Sequence, residues 1–537
     1  MRLLALPILA LLAASAPTGG ADPARMSVMV RTLASPEFEG RGPGTAGEAR
    51  TVDWLVARFA ALGLEPGGAD GSFIQKVPMI HTQVTGGTMA FGAIPAVQGT
   101  TISVTTVKPG ERLEVDAPMV FVGYGVSAPE AGWDDFKGVD LHGKVAVFLI
   151  NDPDFEAVEG DGARGRFGDR RMTYYGRWTY KFDEAAKRGA VAALIVHDTG
   201  GAGYGWSTVV ANNGENYDIV RAADDLKIPL QGWIEHDAAN ALFASAGLNL
   251  DMLRKAARQS DFMPVELKGQ RFTADLSVHA ERIESRNVVA KLTGSGHPRE
   301  TILFGAHWDA YGKAPDGTIR PGANDDGLGV AGVLELARLF KAGKRPDRTL
   351  VFALWTGEER GLLGSEYYGG HPLYPLETTV ANFTLDILQT AGPAKNVVLV
   401  GNGNSSLDAM LGEAAAAQGR VVTPETFSER GLFFRADHFS VARRGVPSLL
   451  IMQLGGAPDL AEGGLPAGQA WLDAYMKCYH QPCDSWSADW DLRGAAADVD
   501  LFHAIGIRLA DSRDWPSWRP GFEFEKIRGA SKAARKP

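Results

Sequence analysis

Cysteine is scarce in this chain, with Cys478 and Cys483 alone among 537 residues. A fold stapled by several disulfides is therefore excluded, and so is a metal site built from four thiolates. Long apolar runs are missing too: the stretch from Met1 to Ala16 is too short to span a bilayer, and no later run is long enough. Basic residues are not in excess, since 54 Lys and Arg face 64 Asp and Glu for a net charge of −10. That balance argues against nucleic acid or an anionic membrane as a partner. What remains is an ordinary globular composition, 45% hydrophobic and 22% charged. The length suits two large domains or roughly three smaller ones.

The first residues read as a secretory leader: Arg2, an apolar core through Leu12, and small residues ending in Ala14-Ser15-Ala16. Pro17 disfavours cleavage directly after Ala16, so residues 1–21 are assigned to the leader. No cysteine stands at the junction for a lipid anchor. The expectation is a soluble exported protein, periplasmic or secreted, in which Cys478 and Cys483 form a disulfide because the compartment is oxidising.

The residues that carry chemistry sit at the ends of apolar runs. Thr301-Ile-Leu-Phe-Gly-Ala-His-Trp-Asp309 reads as a buried strand with His307 and Asp309 at its carboxyl end. Side chains two apart share a strand face, so His307 can offer a neutral imidazole to a metal while Asp309 takes the ring's other N–H. A satisfied histidine at a strand end is the plain alternative. Pro321-Gly-Ala-Asn-Asp-Asp-Gly327 leads into an amphipathic run from Val330 to Phe340, which puts Asp325 in a Gly-rich turn at a helix start. An acid there suits helix capping as well as metal binding.

A second apolar run, Arg348 to Trp355, is followed by Glu358 and Glu359. Adjacent carboxylates on an extended chain point to opposite sides, so one can bind a metal while the other handles a proton. Asp386 lies within the apolar run Thr379 to Leu388, where an unpaired charge is costly and a cation is expected to meet it. Cys478-Tyr-His-Gln-Pro-Cys-Asp484 then supplies His480, with Tyr479 beside it and Asp484 as a supporting carboxylate.

In this order, an HxD, an NDD turn, an EE pair, a strand aspartate and a YHxxxD segment, the set resembles the M28 family of zinc peptidases over roughly residues 280–510. The resemblance implies an α/β fold, a mostly parallel central sheet with helices on both faces. It implies two Zn2+, one held by His307, Asp325 and Asp386 and the other by Asp325, Glu359 and His480, with Asp325 bridging. Glu358 is then the general base and Tyr479 a hydrogen-bond donor to the developing oxyanion. The segment Gly431 to Pro447 resembles the family's substrate-side stretch, but Ala436 replaces the usual serine, so Asp437 inherits only a supporting role. Thr384 and Leu388 to Thr390 also depart from the usual surroundings of the strand aspartate.

Residues 22–112 are expected to form the N-terminal part of the peptidase domain and a linker, with Glu39 to Arg41 bordering the cleft. Residues 113–265 alternate strands and helices in an order that resembles a protease-associated (PA) domain, a smaller α+β insertion, whose long polar Asp152 to Trp178 stretch suits either plain solvation or a substrate lid. Residues 266–520 complete the catalytic domain, and the basic, small-residue tail 521–537 is expected to be disordered. The implied activity is aminopeptidase hydrolysis of peptides, with no nucleic acid, no membrane span and no particular oligomeric state indicated. A carboxypeptidase or dipeptidase of the same fold is the alternative, then a single-zinc glutaminyl cyclase-like transferase or a non-catalytic receptor-like ectodomain. The same donors also accept cobalt or manganese.

Overall fold

The computed structural model describes residues 19–222, 225–314 and 316–535. Most of the assigned leader, residues 1–18, lies outside them. Apolar residues alternate along the strands that carry the site. On His297–His307, Ile302, Phe304 and Ala306 enter one core while Leu303 enters another; on Arg348–Trp355, Leu350, Phe352 and Leu354 join the first and Val351, Ala353 and Trp355 the second. A strand apolar on both faces needs cover on both. Helices Pro23–Leu33, Ala46–Ala61, Gly329–Ala342 and Arg493–Asp511 cover one face. Leu363–Gly370 and His438–Ala442 contribute Tyr368 and Val441 to the other.

His297–His307 runs parallel to Arg348–Trp355 on one side and to Thr379–Leu385 on the other, and Thr379–Leu385 runs parallel to Ser448–Ile451. Antiparallel joints occur where Asn396–Val400 meets Ser448–Ile451 and where Val265–Leu292 meets Arg348–Trp355. The mostly parallel sheet with helices on both faces is therefore the observed one. Because three adjacent parallel strands end at the same edge, their following residues, His307 and Asp309, Glu358 and Glu359, and Asp386, converge there.

The 28-residue strand Val265–Leu292 carries the sheet beyond this region, pairing antiparallel with Ile74–Phe91 and with Arg112–Phe121. Past Arg112–Phe121 come the parallel strands Val145–Leu149, Ala192–Val196 and Leu230–Ile234, with Ile102–Thr106 antiparallel at the edge. Residues 113–265 thus build one apolar core of their own and share a second with residues 84–104 and 267–278, and strand Val265–Leu292, which starts at their end, ties them to the rest of the sheet. Nor does the Asp152 to Trp178 stretch hang free. The Met172 amide donates to the Ser428 carbonyl (3.1 Å), and the Tyr174 ring packs on Phe434, Phe439 and Phe524.

The tail corrects the expectation of disorder. Helix Glu525–Ala530 is followed by a 3-10 turn to Arg535, and only residues 536 and 537 lie outside the described chain. Composition missed the anchors: Phe522 and Phe524 enter an aromatic core with Trp518, and buried Arg528 donates to the Thr379 and Val380 carbonyls at 2.9 and 3.1 Å.

Candidate active site

His307 ends its strand with its ring fixed at both nitrogens. Nδ1 lies 3.1 Å from the Asp309 carbonyl and 3.6 Å from the Asp309 carboxylate, and Nε2 lies 3.1 Å from Asp325 Oδ1. Asp309 Oδ1 also accepts the Glu358 amide at 3.1 Å, tying this strand end to the next loop. The NDD turn is held from outside its own helix: Asp484 accepts the Asn324 and Asp325 amides, each at 3.0 Å, while the Ala323 amide donates to the Asp484 carbonyl. Asp326, and not Asp325, caps the helix, accepting the Gly329 amide at 2.9 Å and the His307 amide at 3.2 Å. Asp325 is thereby free to face inward.

Its two oxygens divide between two groups. Oδ1 faces His307, whose Nε2 is 4.0 Å from Asp386; Oδ2 lies 3.2 Å from His480 Nε2, which is 3.1 Å from Glu359. The donor atoms of His307, Asp325 and Asp386 form one set within 4.8 Å of one another, and those of Asp325, Glu359 and His480 form another. Glu358 belongs to neither set; its Oε2 is 3.9 Å from His307 Nε2, and it lines the adjoining cavity with Asp325, Asp386, Arg435 and Tyr479. Apolar Ile387, Leu432, Met452 and Leu454 complete the wall. The Tyr479 ring lies against His480, 3.6 Å between centroids. Asp437 is buried nearby without an ion pair to either set, its carboxyl pushed up to about 7 by burial. The Cys478–Cys483 disulfide closes the loop that presents Tyr479 and His480, with Cα atoms 5.1 Å apart.

Burial pushes the Glu358 and Glu359 carboxyls well above their usual range and Asp386 up to about 8. Burial acts on Asp325 in the same direction, but hydrogen bonds from His307 and His480 outweigh it and hold that carboxyl low. Burial alone would lower His307, yet the surrounding Glu358, Asp309 and Asp325 raise it well above the ordinary imidazole value. These opposite shifts have one cause, a cluster of buried carboxylates that only protons or cations can neutralise. Asp386 Oδ1 and Asp309 Oδ2 are buried with no hydrogen-bond partner. Imidazole and carboxylate donors without thiolate suit zinc at an open, catalytic type of site, so the residues fit a metal pair.

Three groups escaped the sequence reading in whole or in part. Tyr311 places its hydroxyl 3.1 Å from His480 Nδ1 and its ring 4.7 Å from the imidazole, fixing the second histidine as Asp309 fixes the first. Arg41, expected only to border the cleft, is fully buried and donates to the carbonyls of Leu33, Trp308, Pro321 and Gly322, joining the HxD and NDD loops. Arg435 reaches the cavity from a segment in which Asp437 alone drew notice. An arginine two residues before that aspartate was the available signal.

Residues 287–502 match the profile of Peptidase family M28. An aminopeptidase of Pseudomonas aeruginosa is 31% identical over 233 residues, 40% of this chain and 40% of the relative. Carboxypeptidase Q of Xenopus laevis is 31% identical over 195 residues, 35% of this chain and 34% of the relative. The chain therefore spans well under two thirds of the length of these relatives. An aminopeptidase from Aneurinibacillus sp. strain AM-1 shares the fold, with a TM-score of 0.52, 21% identity and coverage of 92% of this chain and 95% of that one.

Proposed function

We propose that the protein is an exported two-zinc aminopeptidase. The single observation that carries the reading is the division of Asp325 between two donor sets, one completed by His307 and Asp386 and the other by Glu359 and His480. Zinc, when bound, supplies Lewis acidity to the scissile carbonyl and to the attacking water. Glu358, outside both sets and facing the cavity, accepts the proton of that water and passes it to the leaving amine. Tyr479 donates to the carbonyl oxygen as negative charge develops. Asp309 and Tyr311 hold the two imidazoles in register, and Arg41 and Asp484 hold the turn that presents Asp325. Export is supported by the leader-like start and by the disulfide. The strand and helix order of residues 113–265 supports their assignment as a PA-type insertion that limits access.

The test is hydrolysis of matched peptides with a free or an N-acetylated amino terminus by zinc-loaded protein, repeated after chelation and zinc return. Cleavage of the free-amine series alone, lost on chelation and restored by zinc, is expected. Preference for N-acetylated peptides cut at the carboxyl end would favour the carboxypeptidase reading, which the similarity to carboxypeptidase Q keeps open.

A further inference from the structure

His480 is the less firmly held of the two histidines that face Asp325. Its side chain is 27% exposed, against 2% for His307 at its strand end. It also stands in a loop with a φ of +61°, the left-handed region that costs a residue with a Cβ. Nε2 is turned to Asp325 and Glu359, at 3.2 and 3.1 Å, so a metal bound there needs the ring proton on Nδ1. That N–H then donates to the Tyr311 hydroxyl oxygen, 3.1 Å away. Whatever holds Tyr311 therefore sets the angle at which this imidazole meets a metal.

Tyr311 is held by Arg360, the residue directly after Glu358 and Glu359. The guanidinium carbon lies 5.2 Å from the centre of the Tyr311 ring, and Nη2 donates to the Tyr311 carbonyl at 3.4 Å. The same carbon is 4.8 Å from the centre of the Tyr217 ring, and Nη1 is 3.3 Å from Glu215 Oε2. Tyr217 and Glu215 are two apart on strand Glu215–Ile219 and so share a face. His81 pairs with Tyr217 in strand register, stacks on its ring at 4.4 Å and takes the other Glu215 oxygen at 3.0 Å, while Glu281 meets its second nitrogen. Each contact is modest alone, but together they fix one planar guanidinium between the strands and the Tyr311 loop.

We propose that Arg360 is a positioning residue for the metal-binding set of Asp325, Glu359 and His480, acting through Tyr311 and braced by Glu215 and Tyr217. The proposal rests on the two-zinc reading and adds to it a residue outside both donor sets.

The test is a competition titration of zinc between a chelator and the full chain, which resolves two ions by affinity. Arg360→Leu should weaken one zinc about 10-fold, the low end for loss of a group that supports a metal ligand, and leave the other unchanged. The weakened ion should be the one that His480→Ala loses. Arg360→Lys, which keeps a cation beside the rings, should recover part of the affinity. In Tyr311→Phe the hydroxyl is gone, so adding Arg360→Leu should cost little more. Full additivity would mean that Arg360 acts through neighbouring Glu359, and it overturns the proposal. Weakening of both ions alike, or of neither, does the same. A wild-type chain that never takes a second zinc overturns the two-zinc reading instead. The metal-free chain with isotope-labelled histidine then decides the positioning role: Arg360→Leu should shift or broaden the His480 ring signals, assigned with His480→Gln, and unchanged signals overturn it.

Discussion

Residues 113–265 and the strand ends around His307 and Asp386 both bury acids, and they treat them differently. Within residues 113–265, Asp135 accepts the Val126 amide at 2.9 Å and the Trp133 indole N–H at 2.7 Å, and Asp152 accepts the Thr173 amide and hydroxyl at 2.6 and 2.8 Å. Lys181, fully buried, donates to the Asn151 and Tyr175 carbonyls at 3.1 and 2.7 Å. At the strand ends, Asp325, Glu358, Glu359 and Asp386 face one another and two histidines, and Asp386 Oδ1 has no partner. Charge satisfied from within is architecture. Charge left facing its own kind marks the place where something from outside binds.

The sharpest way to break the comparison is at Glu358. Glu358→Gln should keep its zinc and lose at least about 10²-fold in kcat, the usual scale of general-base catalysis. Turnover near wild type, measured with zinc content on the same sample, would remove Glu358 from the mechanism.

A change within residues 113–265 should do the opposite. Lys181→Met removes two hydrogen bonds and a buried cation that favours the Asp152 carboxylate, at a cost of roughly 1–3 kcal/mol in denaturant unfolding. Zinc content and the kcat of the folded protein should stay unchanged, since neither donor set includes this residue. Loss of zinc from that variant would show that the two regions are not separable in this way.

The smallest effect is in pH. Burial pushes Asp135 up to about 7, whereas the unfolded carboxyl titrates near about 4. The folded chain therefore binds the extra proton between these values. The favourable contribution of Asp135 is complete below about pH 4 and is lost as pH rises toward 7. Asp135→Asn should flatten that part of the stability profile, measured by urea unfolding at several pH values. An unchanged slope would assign it to other acids.

The parts of the molecule readable in the sequence are those governed by local pattern. Apolar runs ending in polar clusters placed His307, Glu358 and Glu359 at strand ends, whereas Asp386 reads as lying inside its run; the strand stops at Leu385, and all four residues lie at one edge of the sheet. What could not be read are contacts between residues far apart in the chain. Tyr311 meets His480 across 169 positions and Arg41 meets Gly322 across 281, so neither leaves a local periodicity. The NDD turn shows a finer limit. Two adjacent acids both suit a helix start, and only the fold assigns the cap to Asp326 and the inward position to Asp325. The tail misled through composition, because one buried arginine and two phenylalanines outweigh a basic, small-residue sequence.

The central claim is that Asp325 joins two metal positions, and metal analysis of the purified chain tests it most directly. The expected result is two zinc ions per wild-type chain and fewer than one in Asp325→Ala, because each donor set loses a member at once. A wild-type chain that saturates at one zinc, or an Asp325→Ala chain that still holds two, would contradict the account.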